Sequence, residues 1–177
     1  MRRGFVLLLL ALSTSLFAQT SLKPTSYTMS VLGTSTLHDW ESKVDKVTGS
    51  MTASSDLSDI TDLKVTVPVT AIKGGKDLQD EKTYEAFNYK KHPNITFVLT
   101  DTKKTDSGMT LVGKLTMNGY VKTIEIPVKK SESNGKVVLS GEKELDMTQW
   151  NMKPPSVMMG TIKVGPKVTV KFEVTFS

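Results

Sequence analysis

Between Leu111 and Val128, two runs of roughly alternating apolar and polar residues meet at Asn118-Gly119. Asn-Gly supplies the two consecutive residues of positive φ that a type I′ hairpin turn requires. Taking that pair as the loop fixes a register in which Met117 faces Tyr120, Leu115 faces Lys122, Gly113 faces Ile124 and Leu111 faces Ile126. Directly opposed residues share a face of the sheet. Leu111, Leu115, Met117, Tyr120, Ile124 and Ile126 therefore make a dry face, and Val112, Lys114, Thr116, Val121, Thr123 and Glu125 a wet one. Asn134-Gly135 repeats the signal and adds Val137 and Leu139 to the side of Ile126 and Val128.

The period of two recurs along the chain. Leu63, Val65, Val67 and Val69 alternate with Lys64, Thr66 and Pro68; Ile95, Phe97 and Leu99 with Thr96 and Val98; Val168, Val170, Phe172, Val174 and Phe176 with Thr169, Lys171, Glu173 and Thr175. Turn signals at Gly33, Gly49, Gly74-Gly75, Ser107-Gly108 and Gly165-Pro166 separate such runs. The pattern predicts eight strands, near 26–32, 41–53, 61–70, 94–102, 109–117, 120–130, 136–149 and 162–176. One segment differs. From Lys76 to Lys91 helix formers dominate, with Asp77 as the expected N-cap and His92-Pro93 as the stop. This places one or two short helices between the third and fourth strands.

Hairpins in succession build either a sandwich or an up-and-down barrel. Long strands suit tilted barrel staves. Pro68 and Pro127 lie inside strand patterns, where a missing N–H calls for an edge or a bulge.

Composition narrows the function classes. Residues 1–18 read as a secretory signal peptide: Arg2-Arg3, an apolar run from Phe5 to Leu12, and cleavage expected after Ala18. That run is too short to span a bilayer, and no other segment approaches such length. Residues 19–177 are one domain's worth of chain. With no cysteine, neither a lipid-modified cysteine anchor nor disulfides are available, and a periplasmic or secreted protein with a self-sufficient core is expected. Both arginines fall in the leader, which leaves 21 lysines against 18 acidic residues. Without an arginine fork to read guanine edges or clamp phosphates, nucleic-acid binding is not expected. The residues carry no signature of an oligomeric state.

His38-Asp39-Trp40, with Ser35 three residues before His38, is the most enzyme-like cluster. Consecutive strand residues point to opposite faces, so His38 and Asp39 are not expected to meet, and a structural role for His38 is the plainer reading. With only two histidines and no cysteine, no metal site is expected. The inward residues, with methionines at 29, 51, 109, 117, 147, 152, 158 and 159, read equally as a filled core or as an adaptable lining. Gly113 is a gap in that set, or a point of curvature.

Leu115 to Val128 resembles the signature hairpin of the YceI-like polyisoprenoid-binding proteins. So do His92-Pro93-Asn94-Ile95-Thr96-Phe97, Val47-Thr48-Gly49 and Val168 to Phe176. The likeness runs from about Tyr27 to Phe176. Departures are Gly33-Thr34-Ser35-Thr36-Leu37-His38-Asp39-Trp40, with Trp after His, and Pro154-Pro155-Ser156-Val157-Met158-Met159-Gly160.

The resemblance implies an all-β, eight-stranded antiparallel lipocalin-like barrel, with the helix between strands 3 and 4 and residues 19–177 forming one lipid-binding domain. Its lumen would hold a long isoprenoid chain, a polyprenyl lipid or quinone tail, for transport or storage without catalysis. The lumen lining is then expected to include Val65, Val67, Phe97, Leu111, Leu115, Met117, Ile124, Ile126, Leu139, Met147 and Phe172. His38, Trp40, Phe87, Lys122, Met158 and Met159 are candidates for the mouth. Lys122 and Lys130, on the dry face near hairpin ends, are rim lysines that either stay solvated or meet a head group. No cofactor is expected beyond such a lipid, and transient membrane contact fits its delivery. Alternatives are a fatty-acid or other amphiphile carrier, an enzyme acting on a lipid in the same cavity, and an envelope or stress-associated structural protein without ligand.

Overall fold

The computed structural model describes residues 19–105 and 108–177. The leader expected over 1–18 and the turn position Ser107 lie outside the described residues, as do the side chains of Val157 and Met158. In chain order the elements are β1 (Gln19–Leu22), β2 (Pro24–Ser35), β3 (Trp40–Val44), β4 (Thr48–Ser54), β5 (Ile60–Pro68), β6 (Ile72–Lys73), α1 (Asp77–Ala86), β7 (Asn94–Thr105), β8 (Gly108–Met117), β9 (Tyr120–Ser133), β10 (Lys136–Asp146), β11 (Ser156–Val157) and β12 (Ile162–Phe176). Eleven strands form one antiparallel path, β1-β4-β5-β7-β8-β9-β10-β12-β2-β3-β6, and β11 pairs with β12 beside it.

The sheet curls. Its path begins at β1 and returns to β2, and only Lys23 separates those two strands in the chain. Lys23 and Ser177 exchange backbone N–H···O bonds of 3.0 Å in both directions. The β1–β4 and β2–β3 ladders also share one register, since paired residue numbers add to 73 in both (Leu22 with Met51, Ser30 with Lys43). The architecture is an all-β, curled antiparallel sheet with one short α-helix, broadly that of a lipocalin-like barrel.

The expected count of eight strands is not met, because several long runs are interrupted. The run near 41–53 divides into β3 and β4 around Asp45-Lys46-Val47. The run near 61–70 ends at Pro68, which lacks an N–H to continue the ladder, and a 3₁₀ turn over Val69–Ala71 leads to β6. The run near 136–149 stops at Asp146, whose carboxylate accepts the Thr148 N–H at 2.9 Å and caps a second 3₁₀ turn, Met147–Trp150. Gly33 and Gly49 are strand residues rather than turns. A Cβ on Gly33 would stand 2.3 Å from Trp40 Cζ2, and one on Gly49 2.1 Å from the Lys64 carbonyl oxygen. Close approach, not reversal of the chain, is what these glycines permit. Gly165 and Pro166 fall inside β12, at a break in its pairing with β2.

Both Asn-Gly turns form. Asn118 and Gly119 have φ of 47° and 77°, and Asn134 and Gly135 of 51° and 74°. The β8–β9 ladder pairs Met117 with Tyr120, Leu115 with Lys122, Gly113 with Ile124 and Leu111 with Ile126. Pro127 lies just before the point where β9 acquires its β10 neighbour, the first pair being Val128 with Gly141. On that side β9 is an edge there, the place a proline tolerates.

Helix α1 begins one residue earlier in role than its sequence suggests. Lys76 occupies the N-cap without a side-chain bond, and Asp77 is the first helical residue. Asp77 and Asp80 lie in the first turn, where the helix dipole favours carboxylates. The end is a Schellman motif: Asn88, at φ 50°, donates its N–H to Glu85 O, and the Tyr89 N–H reaches Tyr84 O.

The main core runs the length of the barrel, from Leu22, Met51, Ala53, Leu57, Ile60 and Val137 at one end to Leu115, Met117, Trp150 and Met152 at the other, all buried. A smaller cluster of Val44, Val47, Val67 and Ile72 packs below the helix. The strand ends near Ser35, Trp40, Met117 and Ile162 form the opposite end.

Candidate ligand cavity and its mouth

Between the curled sheet and α1 lies a cavity of about 460 Å³, within the ~300–1,000 Å³ usual for small-molecule sites. Its walls follow from strand parity. Alternate residues of one strand face the same way, so β5 contributes Leu63, Val65 and Val67, and β12 contributes Val168, Val170, Phe172 and Val174. Phe97 comes from β7, Leu111, Leu115 and Met117 from β8, Ile124 and Ile126 from β9, and Leu139 and Leu145 from β10. Met147 follows from the 3₁₀ turn. All eleven residues expected to line a lumen thus surround one space. Gly113 does not join them: a Cβ there would stand 2.4 Å from Phe97 Cζ, so the phenyl ring occupies the gap. Thr100 has no partner in the β7–β8 ladder, where the register slips beside Gly113, so the glycine marks curvature as well.

The mouth residues separate. Trp40 lines the cavity, its indole N–H donating to Thr34 O at 3.0 Å and its ring lying over Gly33. Phe87 lines it from just past the helix. His38 lines it too, but its Nδ1 lies 2.6 Å from the Asp39 carbonyl oxygen. Ser35 Oγ is engaged by the same turn, donating to His38 O at 2.7 Å and accepting the Leu37 and His38 N–H groups at 3.2 Å. Ser35, His38 and the Asp39 carboxylate therefore form no relay; the serine holds the β2–β3 turn.

Lys122 is exposed and not part of the lining. It lies across the ladder from Leu115, on the stretch of β9 that has no β10 neighbour, and its own side chain opens to solvent. Lys130 sits at the other end of the sheet, bonded to Glu132 and to the Leu57 and Ser58 carbonyl oxygens (the last at 2.9 Å), and seals the 54–59 loop there. Met159 projects fully into solvent and is not in the lining, while the side chain of Met158 lies outside the described residues.

Sequence reasoning missed part of the wall. Helix α1 supplies Gln79, Lys82, Thr83 and Ala86, and β3 supplies Ser42. Gln79 Nε2 donates to Ser42 Oγ at 3.3 Å, and Ser42 is almost wholly buried. Further polar ties hold the helix: the Gly74 N–H to Asp80 at 2.7 Å, Lys73 Nζ to Tyr84 Oη at 2.6 Å, and Tyr84 Oη to Thr70 O at 3.0 Å. The Tyr84 hydroxyl, and then Asp80, raise the pKa of the Lys73 ammonium. No α1 residue is fully buried, so these ties carry much of its docking. Lys143 of β10 also lines the cavity. Its signal was in the alternation Leu139, Gly141, Lys143, Leu145, where a charge occupies an inward position.

Leu37 and Leu78 line the cavity and are also 66% and 57% exposed, which places them on its rim. Thr36 donates its N–H to Lys163 O at 3.0 Å and its hydroxyl to Thr161 O at 3.2 Å, so the loop carrying Met159 stands beside Leu37. Among the described residues no group of three His, Asp or Glu is placed to hold a metal ion. No helix among them is long and apolar enough to cross a membrane.

A family model, the YceI-like domain, matches residues 18–176. Three similar solved structures share the fold. Burkholderia cenocepacia BcnA is 18% identical with a TM-score of 0.73, over 84% of this chain and 95% of that one. A polyisoprenoid binding domain from Saccharophagus degradans, implicated in plant cell wall breakdown, is 11% identical with a TM-score of 0.68, over 91% and 98%. The Campylobacter jejuni YCEI protein is 15% identical with a TM-score of 0.64, over 99% and 91%. No curated protein sequence is measurably similar to this chain.

Proposed function

The chain belongs to the YceI-like domain family, and from that premise we propose that it binds a long isoprenoid lipid, a polyprenyl lipid or quinone tail, in the apolar space between sheet and helix. The observation that carries this reading is one continuous lining drawn from β5, β7, β8, β9, β10 and β12, with aliphatic, methionine and phenylalanine side chains at every position but Lys143. Burial contributes about 0.8 kcal/mol per methylene, so a few prenyl units outweigh any single polar contact at the mouth. The polyisoprenoid binding domain of Saccharophagus degradans, with the same fold, supports the ligand class.

In this reading the interrupted strands act as eight staves of a closed tunnel. β1–β2, β3–β4 and β5–β6 each serve as one stave, which the common register of the β1–β4 and β2–β3 ladders supports. The protein stores or ferries its lipid without chemical change, in the periplasm or outside the cell after loss of residues 1–18. Leu37, Leu78 and Met159 touch a membrane transiently during loading. A fatty acid is the rival cargo, since it asks for the same apolar tunnel; a ligand-free structural protein is the other alternative.

The test is organic extraction of the purified protein from a lipid-producing host, with mass spectrometry of the extract. An isoprenoid recovered in stoichiometric amount is expected. A fatty acid in its place would transfer the site to the rival cargo, and a lipid-free extract would sink the carrier reading.

A further inference from the structure

Among the described residues, the acidic side chains are absent from the cavity wall, while Lys76, Lys82 and Lys143 all line it. The chain as a whole is nearly balanced in charge outside its leader, so this one-sided lining is a local feature. The three lysines differ in what already neutralises them. Lys82 Nζ lies 2.6 Å from Glu85 Oε2. Lys76 is exposed at the start of the helix. Lys143 is half-buried in the sheet wall.

The position of Lys143 is set by β10. Its neighbours Glu142 and Glu144 face outward and pair across the β10–β12 ladder, Glu142 with Lys171 at 3.7 Å and Glu144 with Lys167 at 2.9 Å. Lys143 has the opposite parity, that of Leu139 and Leu145, and its cross-strand partner is Val170, another lining residue. On the other side β10 has lost its β9 neighbour, because that ladder ends at Gly141 with Val128. Among the described residues Lys143 has no ion pair and no side-chain hydrogen bond. An ammonium beside an apolar, low-dielectric wall attracts an anion more strongly than one surrounded by water.

Resting on the carrier reading above, we propose that Lys143 is the anchor of a head-group site, and that the amphiphile held in the cavity ends in an oxyanion, a phosphate or a carboxylate, rather than a neutral group. The chain of the ligand lies against the aliphatic wall. Its charged end meets Lys143 Nζ, and Lys76 adds positive potential at the rim.

Calorimetric titration of lipid-stripped protein with geranylgeranyl phosphate, a saturated long-chain fatty acid and geranylgeraniol tests this. One charge-assisted bond predicts that an anionic ligand binds about tenfold more tightly than the alcohol. That advantage, read as the ratio of anion to alcohol affinity within each variant, should shrink with salt, disappear in Lys143→Met and persist in Lys143→Arg, while every variant keeps a β-rich far-UV spectrum. The anion that gains more identifies the source of the head group. Lys143→Gln, a polar neutral replacement, should behave as Lys143→Met and separates charge from packing. An alcohol bound as tightly as both anions, or an anionic preference unchanged in Lys143→Met and Lys143→Gln, overturns the head-group site while leaving the carrier reading intact. No binding of any of the three overturns both.

Discussion

The ring of Phe97 lies directly over Gly113, with Cζ 2.4 Å from where a Cβ would stand, and the Val98 carbonyl oxygen is 2.5 Å from the same point. One neighbour is a side chain already buried in the core and the other is backbone, so neither gives way easily. Gly113→Ala should therefore destabilise the protein by about 1–3 kcal/mol, the range for overpacking a dense interior. Urea unfolding would show a lower midpoint with an unchanged slope; a midpoint equal to wild type would mean that the wall yields there.

Filling the cavity requires a residue with open space before it. Val170 lines the cavity and is only half-buried. Val170→Trp is expected to reduce co-purified lipid at least tenfold while the far-UV spectrum stays β-rich. Lipid retained at wild-type stoichiometry by a folded variant would place the ligand elsewhere.

Trp150 ties the 3₁₀ turn to the barrel wall. Its indole N–H donates to Leu115 O at 3.1 Å and its side chain is 1% exposed. Asn118 Nδ2 reaches the Trp150 and Asn151 carbonyl oxygens at 3.2 and 3.3 Å, so the hairpin tip and this turn hold each other. Trp150→Phe removes the bond and leaves a void, and a loss of about 2 kcal/mol is expected in denaturant titration. Asn118→Gly keeps the turn conformation but removes both tip contacts, and should cost less than Trp150→Phe; the reverse order would contradict this account.

Acid stability has a local source at the sealed end. Asp56 accepts hydrogen bonds from Ser54 Oγ at 2.5 Å, Ser58 Oγ at 2.9 Å and the Ser58 N–H at 3.1 Å. The Ser54 hydroxyl first, then the Ser58 groups, lower its carboxyl from 3.8 to about 2. A carboxylate with a lower pKa folded than unfolded stabilises the fold above the unfolded value, and that contribution fades as pH falls through the folded one. Stability should then decline between pH 3.8 and 2, and Asp56→Asn should flatten that part of the curve. An identical acid limb in the variant would assign the decline to other groups.

Helix α1 depends on Tyr84, whose hydroxyl meets Lys73 and Thr70 O. In Tyr84→Phe, amide exchange over Asp77–Ala86 should accelerate severalfold, with global stability reduced by about 1 kcal/mol. Exchange unchanged over that segment would show that apolar contacts of Ala86 and Phe87 suffice to dock the helix.

The residues differ in how openly they announced these roles. The β8–β9 register was legible because Asn118-Gly119 fixes both turn type and pairing, and β12 because its alternation is unbroken from Val168 to Phe176. Gly33 and Gly49 misled, since a glycine that admits a tryptophan or a carbonyl looks the same in sequence as one that turns the chain. Lys130 was expected near a rim, but the hairpin pattern does not say which end of the sheet is open, and β9 runs from the mouth at Tyr120 toward the sealed end. Gln79 and Thr83 were invisible as lining because the apolar stripe of α1 is weak and its orientation is set by polar ties to Ser42, Thr70 and Lys73. Lys143 was visible by parity, yet a lysine among Gly141 and Leu145 reads first as a wet-face residue.

The two tryptophans divide the molecule optically. Trp40 borders the cavity, whereas Trp150 is sealed against Leu115 O and does not. An arriving chain changes the surroundings of one indole and leaves the other as a fixed background emitter. Occupancy can thus be followed by intrinsic emission without a dye, and Trp40→Phe gives the blank against which that signal is read.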